Sequence, residues 1–177
     1  MDNKDILEKV EKLVKMYELG LLGGEIMPED NNPNLNKGSI ENYNYYTLPM
    51  ALNYQRNSYK LWESANKTWN DKDTNFVFDT RKVATLNFED IQKALIKYKV
   101  ALQANKQTEI WIKLCNTINE LFNGDIRELF KINDYDINKI RNYVQKENKK
   151  KFPYLSGNKI CNYWLYVLHQ YTDIKFK

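Results

Sequence analysis

The stretch that decides the fold at the C-terminal end of this chain is KKKFPYLSGNKICNYWL, residues 149–165. Proline cannot occupy a helix interior and glycine can adopt φ > 0, so Pro153 and Gly157 predict a sharp turn. Apolar residues then recur at helical spacing, which predicts a new helix beginning near Asn158. Backbone N–H groups at such a turn and helix start bind phosphate well, and Lys159 stands at that point.

The same residues resemble the hairpin of the helix-hairpin-helix DNA glycosylases, the superfamily of endonuclease III and the 8-oxoguanine glycosylases. The family pattern is roughly Leu-Pro-Gly-Val-Gly-x-Lys-x-Ala, followed by an apolar helix. Here Phe152-Pro153 stands for Leu-Pro, Gly157 matches the second glycine, and Lys159 falls where the lyase lysine sits. The chain departs from the pattern at residues 154–156, which replace the first Gly and the Val and add one residue.

The resemblance implies a DNA-repair N-glycosylase and AP lyase that extrudes a damaged base from double-stranded DNA. Lys159 would attack the anomeric carbon and form a Schiff base, or else contact phosphate only. The family also needs an aspartate after the lysine, and Asp173 is the only acid that follows the hairpin. Either Asp173 fills this role through a shorter connection, or the chain is truncated before the catalytic acid. The lack of a helix stop signal after Asp173 favours truncation.

A DNA-binding face is expected around the hairpin, because charge concentrates there. Residues 139–177 carry nine Lys or Arg against two acids, a balance of +7, whereas the other 138 residues carry −3. Such an asymmetry is typical of a polyanion binder, although a solvated lysine-rich surface gives the same count. The residues expected to contact DNA here are Lys149, Lys150, Lys151, Ser156, Gly157 and Asn158.

A second set of DNA contacts is expected from Gln55 and Arg56, on a helix predicted from residue 50 to residue 69. The resemblance suggests that polar side chains here wedge into the duplex and fill the space left by an extruded base. The alternative is an ordinary exposed helix surface.

The predicted fold is all-α: a single domain over residues 1–177, with about seven helices in two small lobes. A long irregular loop is expected over residues 20–48, and a helix-hairpin-helix segment over about 136–171. An amphipathic helix over residues 5–18 begins the chain. Trp111 and Trp164 lie on the apolar stripes of their helices, and we expect both to be buried.

Composition and residue spacing bear on membrane insertion, secretion, the state of the cysteines and metal binding. Apolar runs are too short to span a membrane, and the polar N-terminus is unlike a secretory signal. Cys115 and Cys161 are expected to be buried free thiols in a reducing cytosol. One histidine and two dispersed cysteines predict neither a zinc site nor an iron–sulfur cluster, so no metal or cofactor is expected.

The expected protein is therefore an intracellular monomer, associated with the nucleoid if bacterial. The alternative function is a non-catalytic helical domain that binds nucleic acid or protein.

Overall fold

The computed structural model describes residues 3–22 and 27–177, and within these ranges the chain forms helices and turns but no strand. The all-α class is therefore confirmed. The α-helices of this part of the chain, in order, are α1 (Asn3–Glu18), α2 (Ile40–Thr47), α3 (Ser58–Asn70), α4 (Thr80–Val83), α5 (Phe88–Lys97), α6 (Ala104–Phe122), α7 (Arg127–Ile132), α8 (Ile137–Asn142) and α9 (Asn158–Tyr171). Short 3-10 helices, Pro28–Asp30, Pro49–Leu52 and Asn75–Phe78, connect some of them, and α8 continues into a π-helical turn, Tyr143–Glu147.

Aromatic side chains fill the centre of the molecule. Tyr45 of α2 packs against Trp62 of α3 with 5.6 Å between ring centroids, and Phe130 of α7 packs against Trp164 of α9 at 5.7 Å. Trp111 and Trp164 are both buried, as the sequence predicts. The buried side chains of α2 to α9 form one cluster, so these helices share a single core rather than two.

The loop predicted over residues 20–48 is wrong for its last third, because residues 40–47 form α2. The side chain of Ser39 begins this helix by accepting a hydrogen bond from the backbone N–H of Asn42 at 3.1 Å. Tyrosine and asparagine are weak helix formers, but Tyr43, Tyr45 and Tyr46 are all buried. Tertiary packing of these rings outweighs the weak propensity of the segment.

The single helix predicted from residue 50 to residue 69 is also wrong, because the chain breaks between the 3-10 helix Pro49–Leu52 and α3. Gln55 adopts a left-handed backbone with φ 52°, which cannot continue a helix. Asn57 then caps α3 by accepting a hydrogen bond from the N–H of Lys60 at 3.1 Å. Gln55 and Arg56 therefore lie in a connecting segment and not on a helix.

The N-terminal helix α1 stands apart from this core. None of residues 4–22 is buried, although α1 is amphipathic as the sequence predicts. Its apolar stripe faces solvent: Leu7 is 58% exposed and Leu13 56% exposed.

Candidate nucleic-acid interface

The predicted hairpin is a turn over residues 148–157 that joins the π-helical turn to α9. Phe152 and Leu155 are buried and anchor the turn in the core. Thr117 of α6 donates a hydrogen bond to the carbonyl of Lys151 at 2.7 Å, and the N–H of Ser156 donates to the carbonyl of Phe152 at 3.0 Å. These contacts hold the backbone of the turn against α6 and leave its lysine side chains outside.

The reversal of the chain depends on Tyr154 and not on Gly157. Tyr154 has φ 58°, whereas Gly157 has φ −65°, which any residue adopts. Gly157 is instead constrained by close approach, because a Cβ there would lie 3.0 Å from the carbonyl oxygen of Tyr154. The prediction that Gly157 supplies a positive φ is therefore wrong: a tyrosine takes the left-handed conformation, at a cost in backbone strain.

Gly157 is also the N-cap of α9 and offers no side chain to accept the first N–H groups of the helix. The N–H groups of the first turn, at residues 158–160, thus point outward from an uncapped helix start. Asn158 and Lys159 are exposed here, and Ser156 beside them is partly exposed, with its hydroxyl donating to the carbonyl of Lys149 at 3.2 Å. An uncapped start of a 14-residue helix with an adjacent lysine favours an anion.

Three of the four hairpin lysines are unpaired. Lys149, Lys150 and Lys159 are exposed and form no ion pair with a carboxylate of the described residues. Lys151 differs, because its Nζ lies 3.4 Å from Glu120 of α6. The charge available to a ligand at the hairpin therefore comes from the first three.

A groove separates the hairpin from the segment that follows the Pro49–Leu52 helix. The rings of Tyr54 and Tyr154, which both line this groove, pack against each other with 5.4 Å between their centroids, and Tyr54 is 52% exposed. Lys106, at the start of α6, holds its Nζ 5.7 Å from the Tyr154 ring centroid, and the Tyr154 hydroxyl raises the pKa of this lysine. The cavity in the groove measures about 180 Å³ and is also lined by Gln55 and Arg56. The fold thus brings together the two segments from which the sequence predicts DNA contacts.

Arg56 has a structural partner that sequence reasoning does not find. Its guanidinium donates to the carbonyls of Val100 at 2.6 Å and Lys99 at 3.0 Å, in the connection between α5 and α6. Burial lowers the pKa of Arg56 to about 10. These bonds occupy the guanidinium, so Arg56 fixes the floor of the groove while Gln55 is exposed at its edge.

The two residues proposed for catalysis do not meet. Lys159 is in the first turn of α9 and Asp173 follows its last turn, which separates them by about 20 Å at the rise of an α-helix. The carboxylate of Asp173 accepts a hydrogen bond from the Tyr43 hydroxyl at 2.8 Å and lies against Gly38. Asp173 therefore ties α2 and the loop before it to the C-terminal segment.

Other chemistry-bearing side chains are dispersed. Within residues 3–22 and 27–177 no group of three or more His, Cys, Asp or Glu side chains could hold a metal ion. Cys115 and Cys161 are buried and free, as the sequence predicts, and burial raises the pKa of Cys161 to about 11. In the same part of the chain, no helix is long and apolar enough to cross a bilayer.

Comparison of the chain with models of protein families, with curated proteins and with solved structures finds no significant match.

Proposed function

We propose that this chain is a non-catalytic nucleic-acid-binding domain that uses the hairpin, residues 148–159, and the adjoining tyrosine groove. The observation that carries the proposal is the presence of unpaired Lys149, Lys150 and Lys159 around the uncapped start of α9. Lysines and free N–H groups together favour phosphate, and phosphate contacts supply most of the affinity of non-specific nucleic-acid binding.

The groove supports contact with bases as well as with the backbone. Tyr54 and Tyr154 present ring surface beside Lys106. Proteins that bind single-stranded nucleic acid combine aromatic rings, on which bases stack, with positive charge in the same way. Splayed or unpaired bases could stack there while the adjacent phosphates contact the hairpin lysines. A partly single-stranded ligand therefore fits the site better than a regular duplex, in which the bases are stacked inside.

The proposal is restricted to binding. Base excision by a lysine nucleophile needs a nearby carboxylate that activates it and steadies the charge developing on the sugar. Asp173, the acid suggested by the family resemblance, is at the other end of α9 and is engaged by Tyr43. We expect borohydride to trap no adduct with abasic DNA; a trapped adduct that disappears in Lys159→Ala would establish the lyase chemistry instead.

The first prediction concerns the salt dependence of binding. A variant with Lys149, Lys150 and Lys159 all changed to Ala should bind a fluorescent oligonucleotide more weakly. The slope of log K against log[salt] should flatten by roughly 0.7 for each phosphate of a single strand that the variant no longer neutralises. Anisotropy titrations over a range of salt concentrations, with single-stranded and duplex oligonucleotides of one sequence, measure both quantities.

The matched control changes three exposed lysines elsewhere to Ala: Lys37, Lys72 and Lys82. It removes the same net charge, so equal flattening in both variants would indicate a diffuse electrostatic attraction and no hairpin site. Absence of binding at low salt, or an affinity that salt does not change, would overturn the proposal.

The second prediction separates stacking from charge. Tyr54→Ala removes the exposed ring and should cost about 1–3 kcal/mol of affinity for a single strand, because base stacking on an aromatic ring contributes that much. The salt slope should stay as in the wild type, since the substitution removes no charge. Exposed Tyr166 of α9 provides the control, and an equal weakening in Tyr166→Ala would argue against a stacking role for the groove.

A further inference from the structure

The feature that the proposed function does not use is the apolar stripe of α1. It consists of Ile6, Leu7, Val10, Leu13, Val14 and Tyr17, and Leu21 in the turn after the helix is exposed as well. Every one of these side chains is exposed, up to 65% at Leu21. The hydroxyl of Tyr17 lies 3.6 Å from Met27 Sδ in the following segment.

A helix with an exposed apolar stripe is stabilised when another surface packs against that stripe. Helices of about this length are marginal alone in water, and most helical stability in proteins comes from packing an apolar face. The Asp5–Lys9 ion pair, at 3.1 Å on an exposed surface, contributes only about 0.3–0.5 kcal/mol. The stripe exposes roughly 500 Å² of apolar surface, within the range where such patches mark interaction sites.

The charges of α1 favour a protein surface over a lipid surface. Helices that lie on membranes carry an excess of Lys and Arg on the polar face, which attracts anionic lipid. The polar face of α1 has no such excess, because it carries four basic and four acidic side chains: Lys4, Lys9, Lys12 and Lys15 against Asp5, Glu8, Glu11 and Glu18.

The charges beside the stripe make α1 complementary to a second copy of itself. At 3.6 residues per turn, Glu11 and Glu18 lie about 80–100° to one side of the centre of the stripe. Lys9 lies about 100° to the other side, where it also bonds Asp5 of its own helix. When two such helices pair in parallel, the side of each that carries Glu11 and Glu18 meets the side of the other that carries Lys9. Glu11 of one copy then faces Lys9 of the second copy, twice in the dimer. In an antiparallel pair each flank would instead face the same flank of the second copy.

We propose that two copies of this chain associate through a parallel pair of α1 helices. Burying the stripe on both copies removes about 1,000 Å² from water, the least that a specific interface requires, so the dimer should be moderate in affinity. The proposal departs from the monomer expected from the sequence, and it is independent of nucleic-acid binding because the hairpin is a separate surface.

The test compares the full chain with a variant, Leu7→Asp with Val14→Asp, by sedimentation equilibrium without nucleic acid. The wild type should change from monomer to dimer as its concentration rises through the micromolar range, and the variant should remain monomeric. Neither substitution touches the core, so the thermal unfolding of the rest of the chain should be unchanged. Glu8→Gln with Lys15→Gln alters the polar face only and should leave the dimer intact.

Charge exchange tests the parallel geometry. Glu11→Lys alone and Lys9→Glu alone each place like charges opposite one another and should weaken self-association. A mixture of the two single variants should form a mixed dimer, because both contacts are then between opposite charges.

Three results would overturn the proposal. They are a wild type that stays monomeric at millimolar concentration, a dimer that survives Leu7→Asp with Val14→Asp, and single variants that prefer themselves to the mixed dimer. Sedimentation with phosphatidylserine vesicles tests whether the stripe binds a lipid surface. Binding of the monomer to vesicles, abolished in the double Asp variant, would assign the stripe to a lipid surface instead.

Discussion

At the scale of single residues, Glu29 is an ionisable side chain in a fully buried position. It is 0% exposed in the short helix Pro28–Asp30, between α3 and α9. One carboxylate oxygen accepts a hydrogen bond from the Tyr163 hydroxyl at 2.7 Å, and the indole N–H of buried Trp62 also lowers the pKa of this carboxyl. Burial raises the pKa of Glu29 above its ordinary value of 4.5, and the Tyr163 hydrogen bond lowers it by a smaller amount. Sequence gives no sign of this, because Glu29 stands among loop residues.

The pKa shift predicts a pH-dependent stability. The folded protein holds the Glu29 proton to higher pH than the unfolded chain does, so this residue stabilises the fold most below pH 4.5. Its contribution is lost as pH rises through the folded-state pKa. In Glu29→Gln the side chain is always neutral and can still accept from Tyr163. The variant should therefore gain stability relative to the wild type as pH rises above 4.5, as urea denaturation at each pH would measure.

Exposed Glu63 provides the comparison, because its hydrogen bond with Lys67 lowers its pKa and moves its titration below this range. Glu63→Gln should follow the wild-type pH dependence. If the free energy of unfolding depends on pH in the same way in the wild type and in Glu29→Gln, the pKa of Glu29 is not raised in the folded protein.

At the scale of elements, α9 connects the core with the proposed binding site. Its buried face carries Trp164, whose indole N–H donates to the Thr47 hydroxyl at 3.0 Å, and its first turn presents Lys159. The packing of Trp164 therefore sets the direction in which Lys159 points. Disrupting this packing should affect both stability and binding.

The corresponding prediction is that Trp164→Ala lowers the free energy of unfolding by roughly 3–5 kcal/mol, because it removes buried apolar surface and leaves a cavity. Tyr166→Ala, on the exposed side of the same helix, should change it by at most about 0.5 kcal/mol. Denaturant titration measures both. If Trp164→Ala does not fold, Trp164→Phe keeps most of the packing, removes the bond to Thr47, and should cost about 1–3 kcal/mol. A wild-type stability in both Trp164 variants would contradict the packing described.

Elements with a clear cap and a regular stripe are predictable from sequence. The start of α5 is an example, since Asn87, a residue type that favours the cap position, accepts a hydrogen bond from the N–H of Asp90 at 2.8 Å. By contrast, α2 depends on burying tyrosines against distant helices, which no local pattern reveals. The groove is also beyond sequence-based prediction, because Tyr54, Lys106 and Tyr154 are far apart along the chain. Only the hairpin and its lysines are evident from the sequence.

At the scale of the whole molecule, ion pairs compensate part of the basic excess that the sequence shows near the C-terminal end. Part of the basic excess at residues 139–177 is paired with acids from outside that range. Lys139 bonds Asp134 at 2.6 Å, and Lys151 lies against Glu120. Of the seven other basic residues in that range, Lys149, Lys150 and Lys159 lie at the hairpin. A dimer through α1 would carry two such surfaces, and their joint engagement of one strand would raise the apparent affinity without adding to either surface.

The aromatic core has an optical consequence. Tyr45 and Tyr46 each lie with ring centroids 5.6 Å from Trp62, and the indoles of Trp62, Trp111 and Trp164 are shielded from water. Excitation absorbed by these tyrosines should pass to the neighbouring tryptophan, which then emits at short wavelength from its apolar surroundings. When the chain unfolds, donor and acceptor separate, so a tyrosine band should emerge while tryptophan emission shifts to the red. The protein thus contains a built-in spectroscopic reporter of whether its core is assembled.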